Sequence, residues 1–200
     1  MSTLLAEVGL LSYDTYLRRF ERWVKEGSTS SEQATVDKIE FTKLNLSRTQ
    51  RIHNTLILDD VLKAEARRIK HNYTWVVLTE AWCGDSAQNL PVIAEIARLN
   101  PQKIKLYILF RDKNTEFMNN YLTNGARAIP KLICIDETLS RESFVWGPRP
   151  AAAQKLLTEW KKDPGGKNWN EFERDLHTWY AKNKSQDIQK EFAILLHTLV

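Results

Sequence analysis

Apolar residues recur along this chain at two different spacings, and the change from one to the other divides it into elements. From Ser12, the stretch SYDTYLRRFERWVKEG places Tyr16, Leu17, Phe20, Trp23 and Val24 on one helical face, with Ser12 as a cap and Gly27 as a stop. That pattern predicts an amphipathic helix. Residues 28–54 are polar, with weak periodicity only from Leu44 to Ile52, and predict a loop and a short helix. NTLIL, residues 54–58, then predicts a short strand, and Asp59-Asp60 open a helix that runs through Arg68.

In the middle of the chain the period shortens. TWVVLTE (74–80) and IKLYILF (104–110) are compact β-branched and aromatic runs of the kind buried in a parallel sheet. Between them Leu90, Ile93, Ala94 and Ala97 keep helical spacing until Asn100-Pro101, which makes a β-α-β unit with a favoured right-handed crossover. After a helix near Asn114 to Leu122, AIPKLICID and SFVWG predict two strands joined as a hairpin, so the sheet is mixed. Three helices close the chain: Ala151 to Lys162 with Pro150 in its first turn, a second marked by Trp169, Phe172, Leu176, Trp179 and Tyr180, and a third over Ser185 to Leu199. Their aromatic stripes read as core packing. The expected class is therefore α/β, a central mixed sheet flanked by helices. Residues 1–54 form a helical extension packed on the core, 55–162 the core, and 163–200 a second helical extension, all within one structural domain.

Composition narrows the function classes. The 42% hydrophobic and 27% charged residues are those of an ordinary globular protein. The net charge of +4 and pI near 9.0 come from basic pairs (Arg18-Arg19, Arg67-Arg68, Lys161-Lys162) that are far apart and interspersed with acids, which argues against a nucleic-acid surface. No window reaches about 18 consecutive apolar residues, and the opening MSTLLAEVGLLSYDTYLRRF has no basic residue ahead of its apolar stretch, so neither membrane nor export is expected. Two cysteines are too few for a disulfide framework and point to a reducing compartment such as the cytoplasm. The histidines His53, His71, His177 and His197 lack metal-ligand spacing and read as surface or core-edge residues; no metal site is expected.

The candidate chemistry sits in WCGDS, residues 82–86, where strand turns into helix. A helix N-terminus stabilises the thiolate of Cys83, whereas the charge of Asp85 two residues on disfavours it; the sequence leaves this balance open. Strand, AWCGDS, a helix with Pro91 eight residues after Cys83, strand, helix, and Ile129-Pro130 before a hairpin together resemble the thioredoxin family over residues 55–162. More narrowly, the chain resembles bacterial thioredoxin-like proteins with a helical N-terminal extension and a TEAWCGD-type site. Set on the family's WCGPC, Trp82, Cys83 and Gly84 match, Asp85 stands on the proline and Ser86 on the second cysteine. The resemblance implies a cis proline at Pro130. It implies a nucleophile at Cys83 with Ser86 beside it, and a substrate shelf from Trp82, Asp85, Arg127, Ile129 and Pro130.

The departures from the family pattern are equally informative. Ser86 cannot resolve a mixed disulfide, and Val77 occupies the position of the family's buried acid. Glu80, closer in sequence, is as consistent with a solvated strand end as with a base. Cys134 lies four residues beyond Pro130, about 13 Å along an extended strand, while a disulfide needs Cα atoms within about 7 Å, so Cys134 reads as core. Two functions follow from the resemblance. One is a monothiol thiol-disulfide oxidoreductase acting on a protein disulfide or glutathionylated client, with no cofactor beyond glutathione or another thiol as co-substrate, and with Ser86 donating to the Cys83 sulfur. The other is a non-catalytic protein-binding module on a thioredoxin fold. The terminal helices are expected to cover a sheet edge or apolar face, or else to carry a partner site, and the polar segment 28–50 is a candidate cover for the thiol.

Overall fold

The structure is a computed structural model that describes residues 9–200. Residues 1–8, on which the expectation about an export signal partly rests, lie outside the described residues.

Five strands form one mixed sheet: β1 (Leu11–Ser12), β2 (Tyr73–Thr79), β3 (Ile104–Phe110), β4 (Lys131–Asp136) and β5 (Arg141–Trp146), in the order β1-β3-β2-β4-β5. β2 and β3 run parallel in register from Tyr73 opposite Ile104 to Thr79 opposite Phe110, with α4 (Gly84–Arg98) as their connection. β4 pairs antiparallel with β2 and β5 antiparallel with β4. The unforeseen β1 pairs antiparallel with β3 and so covers what would be an exposed edge. This is the expected thioredoxin-like α/β architecture with added helices.

α1 (Tyr13–Glu26) starts and stops where its pattern predicts: the Ser12 hydroxyl accepts from Thr15 N, and Gly27 is left-handed. Two expectations fail in the next segment. Instead of a loop and a short helix there is one helix of 20 residues, α2 (Val36–Thr55), and NTLIL forms no strand because its first two residues end that helix. α2 escapes an apolar pattern because three of its four buried residues, Thr42, Asn45 and Thr49, are polar; only Ile52 is not. α3 (Asp60–Arg68) follows, capped by Asp59.

Alternation along the strands gives the sheet two buried faces. Trp75, Val77, Ile108, Leu132 and Cys134 join the larger cluster, with residues from α1, α2, α3, α4 and α8 (Gln186–His197). Val76, Leu78, Leu109 and Ile133 join the smaller one, with Cys83 and Met118 of α5 (Thr115–Asn119). Two consecutive helices, α6 (Ala151–Lys162) and α7 (Trp169–Asn183), form a helical hairpin and bury Ala153, Leu157, Phe172, Leu176 and Tyr180 in a separate third cluster.

Asn45 is among the buried polar residues that tie the N-terminal extension to the core. Asn45 Nδ2 donates to the Ala81 carbonyl at 3.1 Å, one residue before Trp82, and Asn45 Oδ1 accepts from Arg48 at 2.8 Å. Asn45→Ala is expected to lower unfolding stability by about 1–3 kcal/mol in urea titration, since it leaves a buried carbonyl without its donor.

Candidate functional site

Cys83 stands where β2 hands over to α4. It is the N-cap residue of that helix: Ser86 N points at its sulfur at 3.5 Å, and Cys83 N closes the preceding turn on the Glu80 carbonyl at 3.1 Å. The thiol donates to the Ile129 carbonyl at 3.3 Å, on the residue that precedes Pro130 through a cis peptide bond. The Ser86 N–H and, from 46 residues further along the chain, the Ile129 carbonyl are thus brought together around one sulfur.

The structure also fixes the balance between the two effects acting on the thiol. Burial, with only 9% of the residue exposed, and secondly the Asp85 charge push the Cys83 pKa up to about 11; Ser86 and Arg149 act in the other direction. Ser86 was expected to donate through its hydroxyl. That hydroxyl is buried without a hydrogen-bond partner, and the directed donor is its backbone N–H. Cys134 is free, fully buried in β4 and, like Cys83, unpaired. Its neighbour Ile133 faces the Cys83 cluster, so Cys134 faces the opposite side of the sheet.

Asp85, placed by resemblance on the substrate shelf, is instead committed internally. Arg149 reaches it through Nε at 3.1 Å and through a second, closer guanidinium nitrogen, and both side chains are about nine-tenths buried. Tyr180 of α7 donates its hydroxyl to the same carboxylate at 2.7 Å and accepts from Asn89 at 3.0 Å. A neighbouring residue of α7, His177, lies on Gly84 itself: a Cβ there would meet His177 Nε2 at 2.6 Å, so any side chain at this position has to displace the ring. His177 Nδ1 is 3.1 Å from Gln88 Nε2, and Gln88 accepts from Arg51 of α2 at 3.1 Å. His177, a core-edge residue as expected, is therefore part of the site's wall.

Trp82 is half-buried, its ring faced by Lys38 Nζ at 5.3 Å and the Arg111 guanidinium at 4.9 Å. Arg127 is exposed, held by Nε to Asn119 at 2.9 Å, and its carbonyl accepts from Arg111 at 3.2 Å. Glu80 is not a solvated end. It is fully buried, accepts from the Ser30 hydroxyl and from Asp112 N at 2.9 Å, and burial raises its pKa. Ser30 also accepts from Ala81 N at 2.9 Å, so the polar segment after α1 packs on the thiol turn.

The sequence does not point to Arg149, Tyr180, Ser30 or Asn45 as parts of the site, nor to the contact of His177 with Gly84, and it leaves Glu80 undecided. Only Arg149 carries a local signal, its position between Pro148 and Pro150 in a stretch whose Gly147–Pro148 bond is also cis. Gly147 itself has φ +110°, and any Cβ there would lie 2.2 Å from the Pro130 carbonyl oxygen.

The profile described as Thioredoxin matches residues 32–161. The chain belongs to the thioredoxin family. The matched region begins at residue 32, earlier than the 55–162 of the resemblance, and so takes in α2. Two solved structures share the thioredoxin-type architecture together with its extra helices. One is a protein of unknown function from Pseudomonas aeruginosa, with 19% identity and a TM-score of 0.57, the match covering 95% of this chain and 99% of that one. The other is an HIV epitope-scaffold, with 20% identity and a TM-score of 0.53, covering 93% and 98%. At those identities the likeness is one of fold. No curated protein matches the chain. No helix among the described residues is long and apolar enough to cross a membrane, and no group of three or more metal-ligating side chains is gathered among them.

Proposed function

We propose that the chain is a single-thiol redox protein of thioredoxin type, acting in a reducing compartment such as the cytoplasm. The Cys83 thiolate attacks one sulfur of an external disulfide, the other sulfur leaves as a thiolate, and a mixed disulfide remains on Cys83. An external thiol such as glutathione then attacks that bond as its thiolate and returns Cys83, which takes up a proton. The observation that carries this reading is the cradle of the sulfur between the α4 N-terminus and the Ile129 carbonyl, with Cys134 on the opposite face of the sheet. Ser86, whose buried hydroxyl lacks a partner, is the group available to the sulfur as charge develops on it. The Trp82 ring and the Ile129-Pro130 backbone form the shelf for a peptide or glutathionyl group, and exposed Arg127 meets its carboxylate.

A second reading, a non-catalytic thioredoxin-fold binding module, is favoured by the burial of Cys83 and its pKa near 11, which leaves about one thiol in ten thousand ionised at neutral pH. Incubation with oxidised glutathione at mildly alkaline pH, followed by intact mass measurement, separates the two. The single-thiol reading expects one glutathionyl adduct, retained in the Cys134→Ser variant, lost in Cys83→Ser, and removed only when free thiol is added. An adduct absent from Cys83, or no faster there than at Cys134, would leave the binding module as the function.

A further inference from the structure

The helical hairpin α6–α7 bears on the thiol turn in a way that neither the family match nor the thiol chemistry requires. Its apolar residues, Ala153 and Leu157 on one helix and Phe172, Leu176 and Tyr180 on the other, pack on each other in a cluster separate from both faces of the sheet. Toward the thiol turn, in contrast, its contacts are polar: Tyr180 to Asp85 and Asn89, His177 to Gln88, and Arg149 at its foot to Asp85. A unit that keeps its own apolar contacts while the Asp85–Arg149 ion pair holds its foot loses a few hydrogen bonds when its Tyr180 end lifts, and such local openings lie below the free energy of global unfolding.

The joints have a matching character. At the C-terminal foot, Lys184 and Ser185 are consecutive non-glycine residues with φ +49° and +61°, a conformation such residues rarely hold. Beyond them α8 is anchored, with Phe192 fully buried beside Trp75 and Trp146. At the N-terminal foot, Arg149 sits between two prolines and also donates to Gln154 in the first turn of α6 at 3.1 Å. One carboxylate holds both feet. Asp85, two residues after Cys83, takes Arg149 from the first foot and Tyr180 from near the second.

We infer that the α6–α7 hairpin is a lid over the thiol turn, clamped shut at both feet by Asp85, and that Cys83 becomes accessible to a reaction partner when the Tyr180 end of this clamp opens. This rests on the single-thiol reading only for its biological use; access to the thiol is a separate observable.

The test compares wild-type, Tyr180→Phe and His177→Ala proteins by two readouts: the rate of Cys83 modification by a maleimide, with Cys134 as internal control, and hydrogen exchange along the chain. Removing one hydrogen bond to a charged group from the closed state is expected to speed Cys83 modification about tenfold. Cys134 should be unchanged, and faster exchange should be confined to residues 151–183. His177→Ala, which clears the ring from Gly84 without touching the clamp, keeps the test open should Tyr180→Phe fold poorly, and is expected to speed modification in the same direction. Faster exchange in the hairpin with unchanged Cys83 modification would overturn the lid, as would equal acceleration at both cysteines, which marks general loosening. Modification that accelerates as expected while oxidised glutathione still forms no adduct would uphold the lid and remove the redox reading.

Discussion

At neutral pH, Cys83 is expected to react with iodoacetamide about a hundredfold more slowly than an ordinary cysteine, with a rate that climbs about tenfold per pH unit and levels off only near pH 11. The factor follows from ionisation alone. Only the thiolate reacts, and moving the pKa from its ordinary 9.0 to about 11 removes thiolate in proportion. Burial is the larger cause and the neighbouring Asp85 charge the second, with Ser86 and Arg149 opposing them. The same shift fixes the sign of a stability effect. The unfolded chain releases this proton from about pH 9 while the folded chain holds it to about 11, so the contribution is complete below the first value and lost as pH rises through the second. Peptide-resolved mass spectrometry across a pH series checks the rate, and a plateau already reached near pH 9 would show that the thiol is not held as described. Cys134, which burial pushes up to about 12, should be slower still.

What was legible in the sequence was local. β2 and β3 announce themselves because both are runs of branched and aromatic residues that a sheet buries on two sides, and α4 because its apolar spacing is helical. Cys83 is singled out for the same reason, since a short turn into a helix is written in neighbouring letters, whereas Ser86, Ile129 and Pro130 enter through the family resemblance. α2 stays hidden because a helix that buries Thr42, Asn45 and Thr49 offers no apolar period to read. The internal role of Asp85 cannot be read from its neighbours because its partners lie 64 and 95 residues further along the chain. Nor can that of Glu80, because the groups that bury and bond it, Ser30 and Asp112, arrive from 50 residues before and 32 after. Local chemistry proposed the nucleophile, and only tertiary contacts could show that its neighbours are spoken for.

Asp85→Asn is expected to act in opposite directions on stability and reactivity. With Arg149 and Asp85 each only about a tenth exposed, neutralising the carboxylate leaves a buried guanidinium uncompensated, which costs about 3–5 kcal/mol in chemical denaturation. The same change removes a negative charge from beside Cys83 and leaves the Arg149 cation unopposed there, so Cys83 should become more acidic and its alkylation at neutral pH faster. The double variant Asp85→Asn with Arg149→Met separates the two. It removes both charges, and it should recover most of the lost stability while giving up the cation's help to the thiolate, leaving its alkylation rate between those of wild type and Asp85→Asn. A stability loss without any gain in reactivity would mean that the Asp85 charge does not reach the thiol. If both move as expected, the residue that stands where the family has proline works against the thiolate because it is engaged elsewhere, holding the helical hairpin on the turn.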